Sequence, residues 1–163
     1  MLRLSTGLKC TLMAGLAGSA FFLISATSTS AQNIPNVTFK PGNAKVVEQG
    51  KAIYSRECAA CHGINFEGQD NWRQRKADGR LPAPPHDASG HTWHHPDPML
   101  FYITKYGPAA LIQDNSYQSD MPAYESILSD EEIIAVLSYI KNQWPEHIRT
   151  RHDMMNKAAR QAK

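Results

Sequence analysis

The chain has 163 residues, 17 Lys and Arg against 15 Asp and Glu, a formal net charge of +2, and three cysteines. That balance lacks the positive excess of a nucleic-acid binder, and so few cysteines exclude a disulfide framework. The length suits one domain with appended segments.

Residues 1–31 read as a secretory signal peptide. Arg3 and Lys9 give a positive start, Leu12 to Ile24 an apolar stretch, and Ser25 to Ala31 a small polar run. The expected cut follows Ala31, with Ala26 as a second candidate. An uncleaved anchor is the weaker reading, because the run is short and glycine-containing for a membrane span. No later segment is apolar enough to cross a bilayer. The mature chain is therefore expected in the bacterial periplasm or an equivalent exported space. Cys10 leaves with the signal, and without Arg3 and Lys9 the charges balance.

Residues 32–42, with Pro35, Pro41 and Gly42, read as a linker to a domain at 43–145. Asn43 is the expected N-cap of a helix from Ala44 to Arg56, with Val46, Val47, Gly50, Ile53 and Tyr54 near one face. Residues 63–95 show no sustained period and read as a long loop. Asp97-Pro98 starts a short helix as N-cap and first helical residue, with Met99, Leu100, Ile103 and Tyr106 as its apolar side and Gly107-Pro108 as its stop. Residues 108–128 read as a second loop, carrying Met121-Pro122-Ala123-Tyr124. Ser129 and Glu132 form a capping box before Ile133, Ile134, Val136, Leu137 and Ile140, and Trp144-Pro145 closes that helix. The tail, 146–163, is charged and alanine-rich and reads as a surface helix. No segment is β-rich, so the fold class is all-α.

Between the first helix and the long loop stands Cys58-Ala59-Ala60-Cys61-His62. A Cys-x-x-Cys-His run after an export signal is the pattern of covalent heme c attachment. Each thiol adds to one vinyl group, and the adjacent histidine becomes an axial ligand of iron. A zinc site needs a second ligand pair and a thioredoxin-like disulfide needs a βαβ context, and neither is present. The sixth iron position calls for a distant donor. Met99 falls within a helix and reads as core filling, and Met154 and Met155 fall in the polar tail. Met121 sits in a loop stiffened by Pro122 and is the expected ligand. Histidine with methionine raises the reduction potential relative to two histidines. Four histidines, His86, His91, His94 and His95, crowd the segment from 86 to 95. They read as packing at the heme edge, where Trp93, Arg73 or a histidine bonds the propionates. The alternatives are a second metal site, copper or zinc, and a histidine in place of Met121 on iron.

From about Asn43 to Trp144 the chain resembles class I monoheme cytochromes c, above all small bacterial ones related to c-type subunits of terminal oxidases. Gly50 and Tyr54 before the first cysteine, the Cys58–His62 motif, Met121-Pro122 and a final helix with Tyr139 carry the resemblance. It implies three main helices and long loops around one covalent heme, with a C-terminal helical extension. It implies a close crossing of first and last helices at Gly50, with Tyr54 against Tyr139. It also implies a proline carbonyl that accepts from His62, and Pro82 is the best match. The expected function is electron transfer between transient protein partners, without catalysis, by the chain alone or as a subunit of a larger oxidoreductase. A copper-handling protein using the His86–His95 loop and a ligand-binding or catalytic heme protein with a labile sixth ligand are the alternatives.

Overall fold

A computed structural model of the chain describes residues 35–112, 114 and 116–161. The signal segment and Cys10 lie outside them. The described secondary structure is helical throughout, without strands among the described residues: α1 (Ala44–Ile53), a π-helical turn (Tyr54–Cys58), α2 (Ala59–His62), a 3₁₀ turn (Thr92–His94), α3 (Asp97–Tyr106), α4 (Pro108–Ile112), α5 (Asp130–Gln143) and α6 (Glu146–Gln161).

Two ends form as their sequence demands. Asn43 caps α1, its side chain accepting from the Val46 N–H. Ser129 and Glu132 close a complete capping box on α5, Ser129 Oγ accepting from the Glu132 N–H at 3.2 Å and the carboxylate accepting from the Ser129 N–H at 2.9 Å.

α1 and α5 cross at Gly50. A Cβ there would stand 2.1 Å from the Ala135 carbonyl oxygen and 2.8 Å from Tyr139 Cβ, so the two backbones meet because the side chain is missing. Beside the crossing the rings of Tyr54, Phe66 and Tyr139 pack mutually, with centroids 4.5 to 5.7 Å apart. Ile133, Val136, Leu137 and Ile140 of α5 continue the core toward Leu100 and Phe101 of α3.

Five expectations need correction. Residues 37–41, assigned to a linker, are bound to the domain: Phe39 is buried, its N–H donates to Asp97 Oδ2, the Lys40 N–H donates to Ser138 Oγ, and Asn142 donates to the Pro41 carbonyl. Pro96, not Asp97, occupies the cap of α3, because the Asp97 carboxylate serves Phe39 and Asn156 instead. The buried stripe of α3 is Asp97, Leu100, Phe101 and Thr104, which leaves Met99, Ile103 and Tyr106 half-buried. The loop expected from residue 108 begins with α4, since proline is well suited to the first turn of a new helix. The tail is no solvated helix: Ile148, His152 and Asn156, four residues apart, form a buried stripe on α6.

Under that stripe lies a polar cluster. Asn156 Nδ2 donates to Asp97 Oδ1 and lies 3.2 Å from His152 Nδ1, and Asn156 Oδ1 accepts from the Asp97 N–H. His152 Nε2 donates to the His95 carbonyl. Lys141 Nζ sits 2.6 Å from Asp153 and 3.8 Å from Asp97. Residues 37–41, a strap across the domain, thus share one hydrogen-bonded knot with α3, α5 and α6.

Candidate cofactor site around Cys58 and His62

The π-helical turn continues α1 and delivers Cys58, and α2 then carries Cys61 and His62. Such one-residue expansions recur at functional sites, where they re-aim side chains. Tyr54 Oη closes the far end by donating to the Gly63 carbonyl at 2.8 Å, and the Gly68 N–H donates to the His62 carbonyl. The motif is therefore held by Tyr54 from the turn that continues α1 and by Gly68 from the loop that follows it.

Both cysteines are free thiols, Cys58 half-buried and Cys61 exposed. Burial, with Glu57 and Cys61 adding to it, pushes the Cys58 thiol up to about 12. His62 is 7 % exposed. Its Nδ1 lies 2.8 Å from the Pro84 carbonyl oxygen, which can only accept, so Nδ1 carries the proton and the Nε2 lone pair is free. Burial lowers the His62 pKa while the Pro84 bond opposes that shift, and the neutral form is favoured. The acceptor is Pro84 rather than the expected Pro82.

Met121 is half-buried against the core, in a loop secured on both sides. Just before it, Asp120 takes Lys76 at 2.6 Å and Arg80 at 2.8 Å. Three residues after it, Tyr124 Oη donates at 2.8 Å to the Glu57 carbonyl, in the turn that bears Cys58. The Tyr124 N–H donates to the Thr104 carbonyl. Burial, followed by the nearby Cys58, pushes the Tyr124 hydroxyl up to about 12. The competing methionines sit elsewhere. Met99 lines a groove with Val37, Pro96 and Asn156, and Met154 is exposed.

The four histidines do not act together. His86 stacks on His62 and bonds Thr92, and it is held well below the ordinary histidine range by burial and then by His62 and His91. His91 stacks on Trp72 and meets His95 edge-on, and His94 lies on Trp93. No group of three or more His, Cys, Asp or Glu side chains is placed to hold a metal ion among the described residues. Trp93 Nε1 donates to the Ala88 carbonyl, and the Arg73 guanidinium lies over Trp72. Arg80 Nε is instead buried without a hydrogen-bond partner.

The donor set fits heme c. It offers two thiols three residues apart, a neutral imidazole with its outer nitrogen already oriented, and an orphaned guanidinium N–H suited to a carboxylate. Sequence reasoning missed Tyr124, Asp120 and Arg80. For Asp120 and Tyr124 the signal was adjacency, since they stand one and three residues from Met121, whereas nothing local in the chain ties Arg80 to that loop.

A family model described as Cytochrome c matches residues 47–144. No curated protein and no solved structure matches the chain.

Proposed function

The chain belongs to the cytochrome c family, and we propose that it is an exported, periplasmic electron carrier with one heme c. Cys58 and Cys61 hold the porphyrin as thioethers, and His62 and Met121 occupy the two axial positions. The iron, cycling between ferrous and ferric states, supplies the redox chemistry.

The observation that carries this reading is the bond from His62 Nδ1 to the Pro84 carbonyl, which leaves Nε2 as a ligand of fixed direction. Tyr124 and Asp120 hold the Met121 loop at both ends, so the thioether is presented rather than free to swing. With protein donors on both sides, oxygen and peroxide find no open position, which favours a carrier over a catalyst. Cys61 and Ile64 are exposed and mark the edge where donor and acceptor proteins dock. Such contacts are small and short-lived. No helix among the described residues is long and apolar enough to cross a membrane.

Optical spectra of the purified protein, oxidised and reduced, test the ligand pair. The ferric parent should show the weak band near the red edge that marks sulfur on iron. Met121→Ala should abolish it and lower the reduction potential. An unchanged spectrum in the variant would remove Met121 from the site.

Asp120→Asn probes the clamp. The charges involved are largely exposed and screened by solvent, so the effect on stability is small. Cyanide, which must displace the methionine, should then bind the ferric protein a few-fold faster at low salt, with less difference at high salt. Equal rates in parent and variant would show that the clamp does not restrain the loop.

A further inference from the structure

We propose that His86 is a positioning residue for the axial imidazole: its ring lies flat against His62 and, together with the Pro84 carbonyl, sets the rotation of that ring about its bond to iron. The proposal rests on the reading of His62 as a ligand.

The two rings are nearly parallel, with centroids 3.9 Å apart and planes 18° from one another. One nitrogen of His62 is already committed to the Pro84 carbonyl, which constrains the ring along its edge. A hydrogen bond to a single carbonyl leaves rocking of the plane open, and a ring against the face closes it. Pro84 and His86 belong to one stretch, Pro84-Pro85-His86, so edge and face contacts come from a single strut.

That strut is built to stay still. Two prolines fix two consecutive φ angles. The Pro85 carbonyl oxygen would stand 2.0 Å from a Cβ at Gly90, so the next loop packs directly on the strut's backbone. The His86 N–H donates to the Phe66 carbonyl at 2.8 Å, and the His86 carbonyl accepts from Trp144 Nε1 at 2.7 Å. The His86 ring is fixed in turn: Nδ1 lies 2.8 Å from Thr92 Oγ1, and Thr92 is buried with its hydroxyl 3.4 Å from the Pro85 carbonyl. A side chain that merely filled space would not need its backbone and its ring nitrogen bound to three different segments.

The geometry also separates His86 from the sixth-ligand role. Stacked rings lie side by side, whereas ligands on opposite faces of a metal point at each other. His86 therefore supports His62 rather than replacing Met121.

Rotation of an axial imidazole decides which iron d orbital its π system meets, and the ferric electron paramagnetic resonance g-values and the proton shifts of the porphyrin methyl groups both read that angle. The holoprotein should be compared as parent, His86→Ala, His86→Phe and Thr92→Val, with thermal midpoints measured alongside. In the parent carrying ¹⁵N-histidine, one strongly shifted bound imidazole is expected. Its absence would overturn the His62 reading and this proposal together. His86→Ala should replace the parent g-values and methyl shift order with a new set while the red-edge sulfur band persists. His86→Phe, which keeps a flat ring against His62 but loses the bond to Thr92, should move the same signals less than His86→Ala does. If His86→Ala fails to mature, Thr92→Val frees the supporting ring without deleting it and should move the same signals in the same direction. Parent-like g-values and methyl shifts in His86→Ala, or in Thr92→Val where that variant replaces it, would reduce His86 to packing and overturn the proposal while leaving the ligand reading intact.

Discussion

Gly50→Val should all but eliminate the folded, heme-bearing protein. The valine Cβ would lie 2.1 Å from the carbonyl oxygen of Ala135, a backbone atom in the middle of α5. A flexible side chain could yield, but a helix backbone cannot do so without moving Ile133, Val136 and Leu137, all buried in the core. Overpacking typically costs 1–3 kcal/mol, and a clash with backbone belongs at or above the upper end. The whole domain is worth roughly 5–15 kcal/mol. A loss of about 3 kcal/mol lowers the midpoint by roughly 10 °C or more in a domain of this size. The damage does not stay local, because α1 runs straight into the turn that carries Cys58. Separating α1 from α5 also parts Tyr54 from Tyr139 and loosens the Tyr54 hydroxyl from Gly63. The measurement is the yield of folded, heme-containing protein with its thermal midpoint, Gly50→Ala standing between parent and Gly50→Val. A Gly50→Ala variant that matures and melts like the parent would contradict the close crossing.

Signals local in the chain were legible, and those depending on how segments meet were not. The Asn43 cap, the Ser129–Glu132 box and the stop at Trp144-Pro145 each involve residues a few positions apart, and each appears as expected. The all-α class and the membership of the family follow from the same signals together with the cysteine motif. Pro82 and Pro84 are a harder case. Both lie on one short proline run and both offer a carbonyl, so the choice depends on the path of that run past His62, which contacts with Gly68 and Gly90 determine. The tail misled for a different reason. Hydrophobic periodicity finds buried faces by their apolar residues, and α6 buries a histidine and an asparagine behind a single isoleucine. Those two residues are paid for by hydrogen bonds to the His95 carbonyl and to Asp97 of α3, which no pattern within the tail can reveal. His86 was noticed as a possible metal donor, yet its partner proved to be another imidazole 24 residues earlier in the chain.

The buried knot gives the second large effect. Asp97→Ala should destabilise the holoprotein by about 3–5 kcal/mol, the range for breaking a buried charge network by deleting one member. Asp97 is 1 % exposed and accepts from Phe39 and Asn156 through its two oxygens. Without it the Phe39 N–H and one Asn156 N–H are left in the interior unpaired, and Lys141 keeps only Asp153, whose side chain is largely solvent-facing. The strap and α6 should therefore loosen together, and both should become more open to hydrogen exchange and proteolysis than α1 and α5. Acid acts on the same knot through His152. Burial, and then Lys141, lower its pKa from 6.5, while the His95 carbonyl, Asp97 and Asp153 pull the other way. The unfolded chain consequently binds its proton first. The contribution of His152 is complete above about pH 6.5 and is lost as pH falls toward the lower native value. Replacing His152 by glutamine should flatten the stability–pH curve over that interval, whatever it costs at neutral pH. An Asp97→Ala protein that unfolds in denaturant within 1 kcal/mol of the parent, with α6 still protected from exchange, would show that the knot decorates the fold rather than fastening it.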